Sequence, residues 1–329
     1  MSGSPAYLLN KYRRYHPIGG ECCKMTNTDG TQLLQSFSDA VAQLAESVSP
    51  SVVGINAGRR SGTGVVWSSD GLVLTASHVI GRSTEPVVTL SDGRELGARV
   101  VGRDPYSDVA LLKVDAGGLT PIKRGSSREA KAGQFVMALS SAFSAKPSVT
   151  AGVITAPSRS MRGWWGIMIE NAVVSDAKLN PGYSGGPLVD AWGKMLGMNV
   201  AYFSGRGIAT PTESLDEVAQ KIAKDGRVKK GFLGVVVEPL ELPERLSNDP
   251  SVGQRTGLLV RAIDDESPAK TAGVSIGDVL FKLGESRVTD EFELHRALAG
   301  DVVGKQVSLW VLRGERPVEL RATPREAEE

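Results

Sequence analysis

Two Asp-Gly dipeptides, at 70–71 and 92–93, each separate a pair of short apolar runs. GTGVVWSS and LVLTASHV flank the first, VVTLS and RELGARVVG the second. Asp-Gly accepts the positive φ angles of a two-residue hairpin turn, so each pair predicts a hairpin. More apolar runs follow at 108–114, 133–140, 149–156 and 186–203, and glycine supplies 38 of the 329 residues. Short strands, tight turns and almost no helical period between 51 and 203 predict antiparallel barrels or a sandwich.

Helical period flanks this region. In TQLLQSFSDAVAQLAESVS (31–49), Leu33, Phe37, Val41 and Leu44 recur at three- and four-residue spacing, and Pro50 ends the pattern. In ESLDEVAQKIAKDG (213–226), Leu215, Val218 and Ile222 share a face, Ser214 with Glu217 forms a capping-box pattern, and Gly226 suits the C-terminal cap. Residues 1–30 have no hydrophobic period and read as a disordered leader, and 227–230 read as a linker. From 231 to 326 a second rhythm sets in, with strands at FLGVVV, GLLVRAI, DVLFKL and QVSLWVL. Two helical stretches lie between them, SPAKTAGV with Ser267 as N-cap and TDEFELHRALAG. The expected organisation is thus a leader (1–30), a β-rich domain with its N-terminal helix (31–226), a linker (227–230) and a second domain (231–326).

Composition excludes some partners. The net charge of +1, from 38 basic and 37 acidic residues, gives no field for nucleic acid. The basic KYRRYH (11–16) reads as a solvated tail. No run of 18 apolar residues exists, so no membrane span is expected. No apolar stretch follows KYRRYH as a secretory signal requires, so as written the chain is expected in the cytoplasm. It would be exported or periplasmic if the N-terminus is incomplete, and translation could start at Met1 or Met25. The only cysteines, Cys22 and Cys23, are adjacent, and no disulfide framework is expected.

The chemistry centres on NPGYSGGPLVD (180–190), where Ser184 sits in a glycine-rich turn. A serine hydroxyl is a poor nucleophile near neutral pH; it needs a base, a group to orient that base, and donors for the developing oxyanion. Of the three histidines, His16 lies in the leader and His295 in the second domain, which leaves His78 as the base. Asp104 precedes Pro105 in a turn, whereas Asp108 directly precedes the apolar run VALLKV, so Asp108 is the orienting carboxylate. In α/β-hydrolases the serine leads into a helix and the order is Ser, acid, His. Here a strand follows, and the order His78, Asp108, Ser184 is that of the chymotrypsin-like double β-barrel. In that geometry Gly182 and Ser184 present their N–H groups to the oxyanion, and Gly185 and Gly186 let substrate backbone come close.

These motifs, together with GRGIATP (205–211), GFLGV and SPAKTAGVSIGDVLFKLGESRV, resemble the HtrA/Deg family of trypsin-like serine proteases with one C-terminal PDZ domain. The likeness covers about 33 to 326. It implies a mainly β fold, a double barrel followed by a PDZ-like domain of short strands and two helices, and the triad His78, Asp108 and Ser184. It implies a substrate pocket at Gly207, Ile208 and Ala209 that favours small aliphatic P1 residues. At the PDZ domain it implies C-terminal peptide binding by Phe232, Leu233, Gly234 and Val235, faced by Leu294, Leu298 and the rim residue His295. The resemblance further implies an ATP-independent endopeptidase acting on unfolded or misfolded proteins, modulated by peptide at the PDZ domain, and a homotrimer. No ATP-binding loop or clustered metal ligands occur, so no cofactor is implied.

The chain departs from the family pattern at three points. Tyr183 replaces the usual asparagine beside the serine and is expected to alter the loop or the S1′ side. MALSSAF (137–143) lacks the usual glycine-asparagine-proline turn, and the chain shows no signal or anchor. SRSMRGWWGIM (158–168) falls where the family carries a regulatory loop, so Trp164 and Trp165 either contact bound peptide or the PDZ domain, or pack on the barrel. The alternative reading is a peptide-binding, chaperone-like module with a latent protease site.

Overall fold

The computed structural model describes residues 27–162, 168–203, 205–226 and 229–327. The leader through residue 26, Trp164, Trp165 and part of the 227–230 linker lie outside them. The chain divides into two units, 1–43 and 44–329. In the first, the helix α1 (Asn27–Val48) begins, with Leu33, Leu34 and Phe37 exposed.

The second unit opens with a closed six-stranded antiparallel barrel. Its strands are β1 (Val52–Ala57), β2 (Arg60–Val66), β3 (Leu72–Ala76), β4 (Val87–Thr89), β5 (Glu95–Asp104) and β6 (Val109–Val114), in the order β1-β2-β3-β6-β5-β4. The two Asp-Gly pairs make the β2–β3 and β4–β5 turns, with Gly71 at φ 100° and Gly93 at φ 88°. Val53, Ile55, Leu74, Leu111 and Leu112, on the strands of this barrel, are all buried. A one-turn helix, α2 (Ser77–Ile80), follows β3.

The second closed barrel is built from β7 (Phe135–Ser140), β8 (Ser148–Arg162), β9 (Met168–Ser175), β10 (Pro187–Asp190), β11 (Met195–Phe203) and β12 (Arg206–Pro211). The order is β10-β11-β12-β9-β8-β7, so the alternative of an open sandwich falls away. Helix α3 (Thr212–Asp225) then packs on β5 and β6 of the first barrel and β11 and β12 of the second. Its buried face is Leu215, Ala219 and Ile222; burying the leucine and isoleucine stabilises by about 1.5–3 kcal/mol each. Gly226 caps it in the left-handed conformation, its N–H donating to Ile222 O at 2.8 Å. The Ser214–Glu217 capping box does not form, because the helix starts two residues earlier, at Thr212. Glu213 instead turns its carboxylate to Ser126 and Ser127.

The C-terminal region has its own sheets and core. β13 (Gly231–Phe232) pairs with β20 (Arg325–Glu326). β14 (Val235–Glu241), β15 (Thr256–Ile263), β16 (Val279–Leu283), β18 (Val307–Arg313) and β19 (Arg316–Ala322) form a sheet in that order, with β17 (Ser286–Arg287) on β16. The helices are α4 (Glu244–Ser247), α5 (Pro268–Thr271) and α6 (Glu291–Ala297). Ser267 caps α5 as its sequence position suggested, accepting from Lys270 N–H, and Asp290 caps α6 by accepting from Glu293 N–H. No helix among the described residues is long and apolar enough to cross a membrane.

Candidate active site

His78 sits not at the end of a strand but on α2, just after it. Asp108 reaches it from the turn before β6. One carboxylate oxygen accepts the His78 backbone N–H at 2.9 Å, and the other meets Nδ1 at 2.6 Å. Ser77 N–H also donates to the Asp108 carbonyl at 3.0 Å. Asp108 is buried, at φ 55°, a left-handed conformation that Asp and Asn tolerate better than most residues. Asp104 plays the turn role expected of it, accepting Tyr106 N–H, Ser107 N–H and the Ser107 hydroxyl. Two arginines take carbonyls at the end of α2. Arg60 donates to His78 O at 2.5 Å, and Arg103 donates to Gly81 O. The same elements wall a cavity of about 840 Å³, lined by His78, Asp108, Arg60, Arg82, Arg103 and Lys230 among others.

The serine turn follows from its sequence. Tyr183 N–H donates to Asn180 O at 3.2 Å, with Pro181 second and Gly182 third at φ 96°, the positions where Pro and Gly suit a turn of this kind. Gly186 N–H closes the next turn on Tyr183 O at 3.0 Å, and Gly185 N–H donates to the buried Asn199 at 2.8 Å. The N–H groups of Gly182 and Ser184 have no partner among the described residues.

The first barrel meets this turn at β2, where Thr63 N–H donates to Ser184 O at 3.0 Å. A Cβ at Gly62 would lie 2.6 Å from Val79, the neighbour of His78, and 3.1 Å from Ser184 O. Helix α2 and the serine turn therefore converge on one glycine. No hydrogen bond joins the Ser184 hydroxyl to His78 among the described residues.

Three expectations need correcting. Gly185 and Gly186 make room for the barrels rather than for substrate: a Cβ at Gly185 would lie 2.0 Å from Thr63 O, and one at Gly186 2.2 Å from Leu139 O. Tyr183 does not face the S1′ side. Its side chain is 3% exposed and packs with Val136, Val173, Leu188 and Ala209 in the second barrel's core, and burial raises its phenol pKa above the ordinary value. Ile208 is fully buried in β12, so its side chain backs this region rather than forming an open wall. Ala209 is buried beside Tyr183. Leu179, half-buried, comes within 3.2 Å of a Cβ placed at Gly207, a neighbour the sequence did not single out.

In the C-terminal region, Gly234 has φ 78° and Phe232 lies under the Arg325 guanidinium, 4.6 Å from the ring centre. Leu233, Leu294 and Leu298 are buried together in this region's core, so Leu294 on α6 and Leu298 at its C-terminal cap do not line an open groove here; Val235 packs at its edge. His295 stacks on Tyr106 with ring centres 5.8 Å apart, two residues from Asp108. Burial raises the Tyr106 phenol pKa, and nearby Asp104 adds to the rise.

Residues 62–198 match the trypsin-like peptidase domain family, and 231–323 match the PDZ domain family. Among solved structures, the HtrA-type protease AlgW with a tripeptide is 33% identical, with a TM-score of 0.71. The match covers 87% of this chain and 97% of that one. The chain belongs to the HtrA family of proteases with a PDZ domain. The serine endoprotease of Yersinia pestis, another structure similar to this family member, is 29% identical at a TM-score of 0.68, covering 87% of this chain and 98% of that one. An Ectopseudomonas mendocina protein named "Probable periplasmic serine endoprotease DegP-like" is 34% identical over 268 residues, 80% of this chain. A protein of the same name from Halomonas elongata is 36% identical over 272 residues, also 80% of this chain. This HtrA family chain spans 56% of the length of each of these two relatives.

Proposed function

We propose that this chain is an ATP-independent serine endopeptidase that cleaves unfolded or misfolded polypeptides. The observation that carries the reading is the doubly bonded His78–Asp108 pair meeting the Ser184 turn across Gly62. His78 takes the Ser184 proton as Oγ attacks the scissile carbonyl, while Asp108 holds the Nδ1–H tautomer and stabilises the imidazolium. The Gly182 and Ser184 N–H groups receive the oxyanion. His78 then protonates the leaving amine, and water hydrolyses the acyl-enzyme by the same route.

Small aliphatic P1 residues would enter beside Gly207 and Ala209, with Leu179 as a further apolar neighbour. Hydrophobic C-terminal peptides would bind at Phe232–Val235 and modulate the rate. A homotrimer is part of the reading, and Leu33 and Leu34 on α1 are exposed. Both DegP-like relatives are named as periplasmic, so the exported alternative is preferred to a cytoplasmic one.

The deciding experiment is casein cleavage by wild type and Ser184→Ala, with and without a hydrophobic C-terminal peptide. Cleavage by the wild type alone supports the protease, and stimulation by peptide supports modulation. No cleavage and no fluorophosphonate labelling would favour the latent, peptide-binding module. That alternative draws on Tyr183 and on the altered 137–143 turn, and the burial of the Tyr183 ring in the barrel core weakens the first of these.

A further inference from the structure

We propose that Thr63 and Ser140 are positioning residues for the serine turn, their two hydroxyls fixing the Gly182 carbonyl and so the aim of the Gly182 and Ser184 N–H groups. The proposal rests on the reading of Ser184 as the nucleophile. Thr63 comes from β2 of the first barrel, Ser140 from the end of β7 in the second, and both are buried. The Gly182 carbonyl accepts from Thr63 Oγ1 at 2.7 Å and from Ser140 Oγ at 3.0 Å. Ser141 N–H donates to Thr63 Oγ1 at 3.0 Å.

The two hydroxyls also lie 3.1 Å apart, and with the shorter Thr63 bond to Gly182 O taken as the one that holds its proton, a single assignment satisfies the other three contacts. Each hydroxyl spends its single proton on a lone pair of the Gly182 oxygen, and Thr63 Oγ1 is free to accept from Ser141. The Thr63 backbone takes part too, its N–H donating to Ser184 O and its carbonyl accepting the Thr75 hydroxyl at 2.6 Å. One residue of the first barrel thus holds the turn on both sides of Tyr183.

Gly182 has no side chain to restrict its backbone, so the peptides flanking it turn easily unless something holds them. An oxyanion hole works only if its donors are aimed before the charge develops. The family's glycine-asparagine-proline turn is missing from 137–143, and in its place Ser140 supplies a hydroxyl that closes on the serine turn. Removing these hydroxyls would also leave the half-buried Gly182 carbonyl without the two partners that hold it.

The test uses Thr63→Val, which keeps the shape and loses the hydroxyl, together with Ser140→Ala, the double variant and Thr63→Ser. On a short chromogenic peptide each single loss should lower kcat about tenfold and the double about a hundredfold, with KM within about twofold of wild type. The rate of fluorophosphonate labelling at Ser184 should fall in step, and Thr63→Ser should recover most of the loss. Wild-type kcat in the double variant, a loss carried by KM, or equal damage in Thr63→Ser and Thr63→Val would each overturn the proposal. If Thr63→Val does not fold, Ser140→Ala alone decides, by kcat loss or none. A wild type inert to the probe would sink the protease reading and this proposal with it, whereas labelled wild type with undisturbed variants would sink the proposal alone.

Discussion

Asp108 holds His78 at two points, its backbone N–H at 2.9 Å and its Nδ1 at 2.6 Å, one for each carboxylate oxygen. The first bond fixes the helix that carries the ring, and the second fixes the ring and its tautomer. Asp108→Asn separates the two tasks. Asn tolerates φ 55° and its carbonyl oxygen can keep the backbone bond, but its NH₂ would donate to Nδ1 and favour the wrong tautomer. We expect kcat on a peptide substrate to drop by roughly 10³–10⁴ with little change in Tm. A drop of less than tenfold would show that the carboxylate does not govern the tautomer.

Gly185 and Gly93 both have positive φ, 85° and 88°, but their surroundings differ. A Cβ at Gly93 meets nothing within 4 Å, while one at Gly185 would lie 2.0 Å from Thr63 O and 2.4 Å from Thr75 Oγ1. Gly93→Ala therefore tests backbone strain alone, costing about 1 kcal/mol. Gly185→Ala adds displacement of the seam between the barrels, and we expect about 3 kcal/mol or more, with loss of fluorophosphonate labelling. Urea unfolding of both variants measures the difference. Equal midpoints would show that the barrels are not pressed together at this turn.

Glu213 gives a pH dependence. Burial alone would raise its pKa, but hydrogen bonds from Ser127, its own backbone and Ser126 outweigh this and hold it below the ordinary 4.5. A carboxylate whose folded value is depressed contributes stability that is fully present above the unfolded value. That contribution is lost as pH falls through the folded value. Wild type should thus be more stable than Glu213→Gln at neutral pH, and the gap should begin to close as pH falls to about 4.5 and vanish at more acid pH. Thermal melts of both proteins across that range are the check. A gap independent of pH would mean that packing, not charge, explains the difference.

What could be read from the sequence and what could not divide along a physical line. Asp70-Gly71 and Asp92-Gly93 marked their hairpins because a tight turn is a local event, although each loop runs to five residues rather than two, with Gly71 N–H closing on Ser68 O and Gly93 N–H on Leu90 O. Asn180-Pro181-Gly182-Tyr183 spelled its own turn for the same reason. The His78–Asp108 pair was legible because only one histidine lay in the serine's own region. The long-range partnerships were not legible. Glu213 lies in the first turn of α3 yet bonds Ser127 across 86 residues, a partnership nothing in the local helix pattern records. Tyr183 looked like an obstacle at the site because nothing local records that the second barrel's core receives its ring. Thr63, 119 residues from Gly182, carried no signal at all in a strand of ordinary composition.

The peptide site gives the last prediction. β14 is an edge strand, paired with β15 on one side only within its sheet, so an extended peptide can add to its other edge. Just before it, Leu233 O accepts from Ala269 N–H at 2.9 Å and Gly234 O from Asp264 N–H at 3.0 Å. The N–H groups of Leu233 and Gly234 find no partner among the described residues, which leaves them for a ligand carboxylate. A Cβ at Gly234, already at φ 78°, would lie 2.2 Å from Ser267 Cβ. Gly234→Ala should therefore weaken binding of a hydrophobic C-terminal peptide at least about tenfold by fluorescence anisotropy. The same peptide with an amidated C-terminus should bind wild type as poorly as the free acid binds the variant. Leu294 and Leu298 are buried in the core, so a peptide whose last side chain docks between them, as proposed, has to part them, and bulk at that residue should then slow association. Equal affinity for the amidated and free peptides would show that these amides do not hold a carboxylate.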